Sequence, residues 1–386
     1  MICKRLERLS SFIAMDVLER AQQMERAGHS IIHLEVGEPD FNTPEAIKKS
    51  AIEALVAGQT HYTHSLGAPE LREAICEHYE RTYGVKGLEP EQVIVTSGTS
   101  PAFLVAMGAF LERGDEVILS NPHYPCHPNF VRFLEAVPVM VPVYEQDGFQ
   151  YCFESIKAAI TSRTKAIFIN SPANPTGNLL DAARMAEIAD TGKMVLSDEI
   201  YHGLVYEGRA HSALEFTRNC IVFNGFSKLF AMTGWRLGYM IVPKQMVRPI
   251  QKMMQNFFIC ANSLSQAAGC TALKDPTVAR DIATMLATYN ERRKYMVARL
   301  RQMGFGITVE PTGAFYVFAN ARRFTDDTYA FAFKILENAR VGITPGVDFG
   351  SNGEGYVRFT YANSLENIRQ GLDRIQGYIE NRRNKI

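Results

Sequence analysis

The sequence predicts an α/β protein with a large three-layer αβα domain on a mostly parallel sheet and a smaller α/β domain beside it. Three observations carry that expectation. Short apolar runs at 93–96, 116–119, 137–143, 166–170, 194–197 and 221–224 alternate with segments of helical periodicity at 101–112, 153–161 and 181–191, as crossover-linked parallel strands do. Several runs are apolar almost without interruption, the mark of strands covered on both faces. Just past the run ends lie polar or glycine-bearing turns, at 96–100, 121–124, 170–177, 198–201 and 224–228. Open α/β sheets bind their ligands at the carboxyl ends of their strands.

Taken in order, residues 12–27 place Ile13, Val17, Leu18, Ala21 and Met24 at helical spacing and stop at Gly28, an amphipathic helix with a glycine end. A short strand at 31–36 leads into Gly37-Glu38-Pro39-Asp40-Phe41, an irregular turn with exposed backbone amides. Tyr62 sits on the loop before a helix that Pro69 can open at its first turn. After the 93–96 strand, Ser97-Gly98-Thr99-Ser100 precede an apolar helix. Free amides, hydroxyls and the positive dipole end converge there, which suits either an anion or simple capping. Residues 276–303 read as one long helix leading to strand-like 313–320, a helix at 327–339, a strand at 356–361 carrying Arg358, and a final amphipathic helix. The first 45 residues have no sheet of their own and are expected to pack with this C-terminal part. The expected division is 46–284 against 1–45 with 285–386.

Composition narrows the function. The 386 residues carry 41 basic and 41 acidic side chains, 46% hydrophobic and 21% charged residues. A zero net charge creates no field toward nucleic acid or anionic membrane. No apolar run approaches the ~20 residues of a bilayer span, and the N-terminus lacks a signal-peptide core. Seven unpaired-looking cysteines point to free thiols in a reducing cytoplasm. Dinucleotide, P-loop, zincin and serine-hydrolase signatures are missing. His123, Cys126 and His127 imitate a metal cluster. They have no second pair at ligand spacing, and Pro122, Pro125 and Pro128 predict a rigid turn, so no metal is expected.

The stretch 220–242, CIVFNGFSKLFAMTGWRLGYMIV, holds Lys228 among Phe226, Leu229 and Phe230. An ammonium there is costly to bury unless it meets an anion or does chemistry. Desolvation beside Arg236 would lower its pKa and make it an amine nucleophile toward a carbonyl. With GEPDF (37–41), HYTHSLGAPELREAI (61–75), SGTSPA (97–102), NPHYP (121–125), NSPANPTG (170–177), SDEIYHGL (197–204), SKLFAMTGWRLGY (227–239), PTGAFY (311–316) and YVRFTYAN (356–363), the chain resembles the class I/II aminotransferases. These are pyridoxal 5'-phosphate enzymes of the aspartate aminotransferase fold type, and the resemblance runs from about Ser30 to Asn363.

That resemblance implies ping-pong transfer of an amino group from an amino acid to a 2-oxo acid, with Lys228 as the Schiff-base lysine and proton carrier. It implies Asp198 on the pyridine nitrogen, Tyr201 and Asn174 on the ring oxygen, and Tyr124 on the ring face. Gly98, Thr99, Ser100, Ser227 and Arg236 would hold the phosphate. Arg358 would clamp the substrate carboxylate, helped by Asn174 and the Gly37 amide. Tyr62 would reach the phosphate of a neighbouring subunit, making a homodimer with shared sites. Gly225 departs from the serine many relatives carry there. Two other functions remain open: a β-lyase on the same scaffold, and a regulator module, which would need a DNA-binding part, for which the sequence offers no basic stripe. The apolar run Phe12-Ile13-Ala14-Met15, in a segment that commonly covers the substrate in such enzymes, leads to the expectation of a neutral donor.

Overall fold

The computed structural model describes residues 3–383. Its main sheet has seven strands in the order Val93–Thr96, Gly238–Ile241, Cys220–Gly225, Met194–Asp198, Thr164–Asn170, Glu116–Asn121 and Val137–Pro142. All run parallel except Gly238–Ile241, which is antiparallel to both its neighbours. The fold is α/β on a mainly parallel sheet, as the alternating runs predict.

Strand periodicity explains the layering. Val93 and Val95 enter one core with Leu71, Ile75 and Tyr79 of helix Pro69–Tyr83. Ile94, between them, enters the opposite core with Phe103 of helix Thr99–Gly108 and with Ile250 and Met254 of helix Lys244–Phe257. Successive side chains point to opposite faces, so every central strand must be apolar on both sides.

A second sheet of three antiparallel strands, Thr344–Pro345, Tyr356–Thr360 and Tyr316–Asn320, packs with the long helix Pro276–Met303. That helix starts where Asp275 accepts from the Thr277 amide at 2.7 Å and ends at Gly304, whose φ of 98° suits a residue without Cβ. The N-terminal part joins this region. Ile32–His33 pairs in parallel with Val341–Gly342, and Val17, Ala21 and Met24 of helix Ile13–Arg26 meet Leu336.

One local expectation is corrected. The proline-rich stretch 122–128 is not a rigid turn throughout, because Cys126–Phe133 forms a helix. Pro125 is its N-cap and Pro128 its third residue, positions where the missing N–H is not needed. Helices Glu45–Val56 and Ser263–Lys274 also have no counterpart in the sequence reading. Among the described residues no helix is long and apolar enough to cross a membrane.

Candidate active site

The carboxyl ends of the parallel strands open into a cavity of about 210 Å³. It is lined by Gly37, Thr99, Ser100, Tyr124, Asn174, Asp198, Tyr201, Lys228 and Arg358, all singled out by sequence. Asp198 is the last residue of its strand and is buried. Its Oδ1 accepts from the Ile200 amide at 3.2 Å, and its Oδ2 lies 3.0 Å from His127 Nε2. His127 comes from the unexpected helix, and its ring packs tilted against Phe168 with centroids 4.1 Å apart. His127, which in sequence imitates a metal ligand, is therefore a partner of the central carboxylate. Asn170, at the next strand end, donates from Nδ2 to Asp198 O at 3.2 Å and accepts from the Asn174 amide at 2.8 Å, tying the two turns together.

Lys228 follows the strand Cys220–Gly225. Its Nζ donates to Gly37 O at 2.6 Å and lies 5.9 Å from the Phe315 ring. Burial lowers its pKa to about 8; Arg358 and Arg236 push the same way, while Glu38 and Asp198 oppose them. The amine is thus far more available than an ordinary lysine's.

Arg358 is buried in the middle of strand Tyr356–Thr360. Nη1 donates to Asn174 Oδ1 at 2.8 Å, and Nη2 donates to Glu35 O at 2.5 Å and Thr344 Oγ1 at 3.2 Å. Its Cζ lies over the Tyr316 ring at 4.4 Å and over the Phe349 ring at 5.0 Å. Nε is buried without a hydrogen-bond partner. The carbonyls of Glu35 and Gly37 therefore receive both cations of the cleft.

Sequence reasoning missed Tyr316 and Thr344 as well as His127. The Tyr316 and Tyr201 hydroxyls are 2.7 Å apart, and burial raises both phenol pKa values. A Cβ on Gly37 would fall 2.1 Å from Tyr316 Oη, so glycine is required at that close approach. The available signal for Tyr316 is that it closes the PTGAFY stretch. His127 and Thr344 have no local signal.

The remaining predicted residues lie around this core. Gly98, with φ 91°, starts the helix Thr99–Gly108, and no side chain caps that end. A Cβ there would meet Arg236 Nη2 at 2.6 Å, so a guanidinium and an uncapped helix N-terminus face one another, a cradle suited to a phosphate. Ser227 is half-buried next to Lys228 but does not line the cavity. Tyr62 is 80% exposed and stands outside it. Gly225 also has its reason: a Cβ would press at 3.0 Å on Gly238 Cα and Leu237 O, leaving no easy room for serine.

A lowered-pKa lysine, a His-supported carboxylate, a phosphate cradle and a buried arginine lying over two rings, set at the strand ends of an α/β sheet, fit a pyridoxal-phosphate enzyme of amino acids. The chain belongs to the family Aminotransferase class I and II, which it matches over residues 29–375. It is an aminotransferase, acting on amino acids and 2-oxo acids, and members of this family use pyridoxal phosphate. Among its relatives is the (5-formylfuran-3-yl)methyl phosphate transaminase of Methanocaldococcus jannaschii, 43% identical over 98% of this chain and 100% of the relative. An aspartate aminotransferase of Pyrococcus horikoshii is 41% identical over 95% of this chain and 94% of its own. A solved structure from Methanococcus jannaschii, described as similar in its active site to kynurenine aminotransferases, superposes with TM-score 0.91 at 43% identity, covering 98% of this chain and 100% of that one.

Proposed function

We propose that this aminotransferase takes its amino group from a neutral amino acid with an apolar side chain and passes it to a 2-oxo acid in two half-reactions. The observation that carries the donor class is the wall of the cleft. Phe12, Ala14 and Met15 line it, and the only cations among the lining residues are Lys228 and Arg358. With Arg358 engaged by the α-carboxylate, a side-chain carboxylate would have no partner, whereas each buried methylene gains about 0.8 kcal/mol. The relatives' names range from a phosphate ester and aspartate to valine and aromatic amino acids, so the cleft rather than the names supports this choice.

The residues fit pyridoxal 5'-phosphate. Asp198, oriented by His127, would hold the pyridine nitrogen, Tyr201 and Asn174 the ring oxygen, and Tyr124 the ring face. Gly98, Thr99, Ser100, Ser227 and Arg236 would hold the phosphate. When bound, the cofactor supplies an electron sink for negative charge at the donor Cα. Arg358, fixed by Asn174, Glu35 and Thr344, orients the donor by its carboxylate. Lys228 Nζ, its pKa lowered to about 8 by burial, would take the proton from the donor Cα and pass it on to the bound cofactor. Phe12 and Tyr124, edge to face at 5.8 Å, keep water from that atom.

A homodimer with shared sites completes the reading. Tyr62 is 80% exposed, and Ile52, Leu55, Val56, Phe257 and Ile259 are large apolar residues on the surface. Their two stretches adjoin where Ser263 Oγ donates to Gln59 O at 2.9 Å. A second copy covering them would bury this area and bring Tyr62 to its neighbour's cradle. Seven free thiols suit a cytoplasmic location.

The test is kcat/KM for alanine, leucine, phenylalanine and aspartate with 2-oxoglutarate or pyruvate as acceptor. Neutral donors are expected to lead. A tenfold or greater preference for aspartate would refute the donor class and leave the aminotransferase assignment in place.

A further inference from the structure

We propose that Asp348 is a positioning residue that sets donor selectivity by fixing the apolar wall of residues 12–15 from outside the cleft. The proposal rests on the reading of that wall as the donor side-chain contact. Helix Ile13–Arg26 begins after Phe12, which has no side-chain oxygen to cap it. The first two helical amides turn instead to a residue remote in sequence: Ile13 N–H donates to Asp348 Oδ1 at 2.8 Å and Ala14 N–H to Oδ2 at 3.0 Å. Asp348 is only 7% exposed. Both carboxylate oxygens are thus committed to the positive end of the helix that carries the wall.

The support under Asp348 is stiff. It sits in the turn Gly346–Phe349, and a Cβ on Gly346 would fall 2.0 Å from Gly353 O and 2.4 Å from Tyr356 O. Backbone lies against backbone there, and the turn cannot shift without moving the strand that carries Arg358. The next residue, Phe349, is fully buried and places its ring 5.0 Å from the Arg358 guanidinium. One short turn therefore touches both ends of the donor's site: Phe349 backs the arginine proposed for the carboxylate, and Asp348 holds the wall proposed for the side chain. Upstream, the wall has a second and more exposed tether, the pair Ser10–Asn129, with Asn129 Nδ2 donating to Ser10 O at 3.1 Å. Asp348 is the buried anchor of the two and the one bonded to the wall residues themselves. The distance between carboxylate and wall selects side-chain size, and Asp348 fixes that distance.

The test compares holoenzyme of the wild type with Asp348→Ala and Asp348→Asn. Asparagine offers one acceptor and one donor, so it satisfies one amide and faces the other with an N–H. Two measurements are made. Amide hydrogen exchange at Ile13 and Ala14 is expected to speed up at least tenfold in Asp348→Ala, with the amides of strand Val93–Thr96 unchanged. The ratio of kcat/KM for leucine to that for alanine is expected to fall at least tenfold in Asp348→Ala and less in Asp348→Asn, because alanine does not reach the wall. Unchanged exchange overturns the proposal, and so does faster exchange with an unchanged ratio, since that leaves Asp348 only a structural cap. If the wild type uses no neutral donor, the donor reading fails by itself. The proposal is then judged by the same exchange and by the long-to-short ratio over the donors the enzyme does accept.

Discussion

Replacing Arg358 by lysine keeps the charge and removes the geometry. The guanidinium spends Nη1 on Asn174, Nη2 on Glu35 O and Thr344, and its face on Tyr316 and Phe349. An ammonium cannot reproduce a planar fork or its contacts with two rings. Losing one charge-assisted hydrogen bond to the donor carboxylate costs about 1.5–3 kcal/mol, and weakened ring contacts add about 0.5–1 kcal/mol. A total near 3 kcal/mol corresponds to roughly 10²-fold in kcat/KM. The loss should appear mainly as a raised KM, because carboxylate binding is made alike in ground and transition states. The assay is the donor half-reaction with alanine, followed by the change in cofactor absorbance and run beside ethylamine, an amine without a carboxylate. Arg358→Lys should lose about a hundredfold with alanine and far less with ethylamine. A loss below fivefold with alanine, or an equal loss with both amines, would refute the carboxylate role.

Three further outcomes are expected. With the cofactor removed, labelling of Lys228 by a small aldehyde and borohydride should rise with pH through a midpoint near 8, because burial favours the neutral amine; a midpoint at an ordinary lysine value would contradict the desolvated site. His33 has its pKa raised to about 9, first by the hydrogen bond to Glu35, with burial opposing and Glu25 assisting. Its folded value lies above the unfolded 6.5, so the stabilisation is full below pH 6.5 and lost as pH rises through 9. After allowance for solvent screening, His33→Gln should cost about 1–2 kcal/mol at pH 6 and much less at pH 10, and equal costs by denaturant titration at both pH values would count against the pair. Finally, inactive Tyr62→Ala and Lys228→Ala subunits, mixed and exchanged, should regain activity in hybrids with one intact site; demonstrated exchange without recovery argues against a shared site.

Much of the site was readable because its pieces are local. Thr96 to Ser100, Asn170 to Gly177 and Asp198 to Tyr201 each combine a strand end with small or polar residues, and parallel strands bring such ends together whatever their order. What escaped depends on distance in the chain. His127 reaches Asp198 only because Pro125 and Pro128 occupy helix positions that tolerate proline. Thr344 and Asp348 act through contacts with Arg358 and the first helix that no short window contains. The reversed strand Gly238–Ile241 has the same apolar pattern as its parallel neighbours, because burial on both faces hides direction.

That reversed strand also spans the two halves of the phosphate cradle. It lies between Val93–Thr96 and Cys220–Gly225, so the loop it closes carries Lys228 and Arg236 out and back at one end of the sheet. Gly238 then rests against the start of the Thr99 helix, where a Cβ would come within 2.7 Å of Gly98 C. The edge strand Val93–Thr96 has this distant segment as its sole neighbour in the sheet. The two halves of the phosphate cradle, the start of the Thr99 helix and Arg236, therefore come from parts of the chain far apart in sequence, and the pairing of one short strand sets the gap between them.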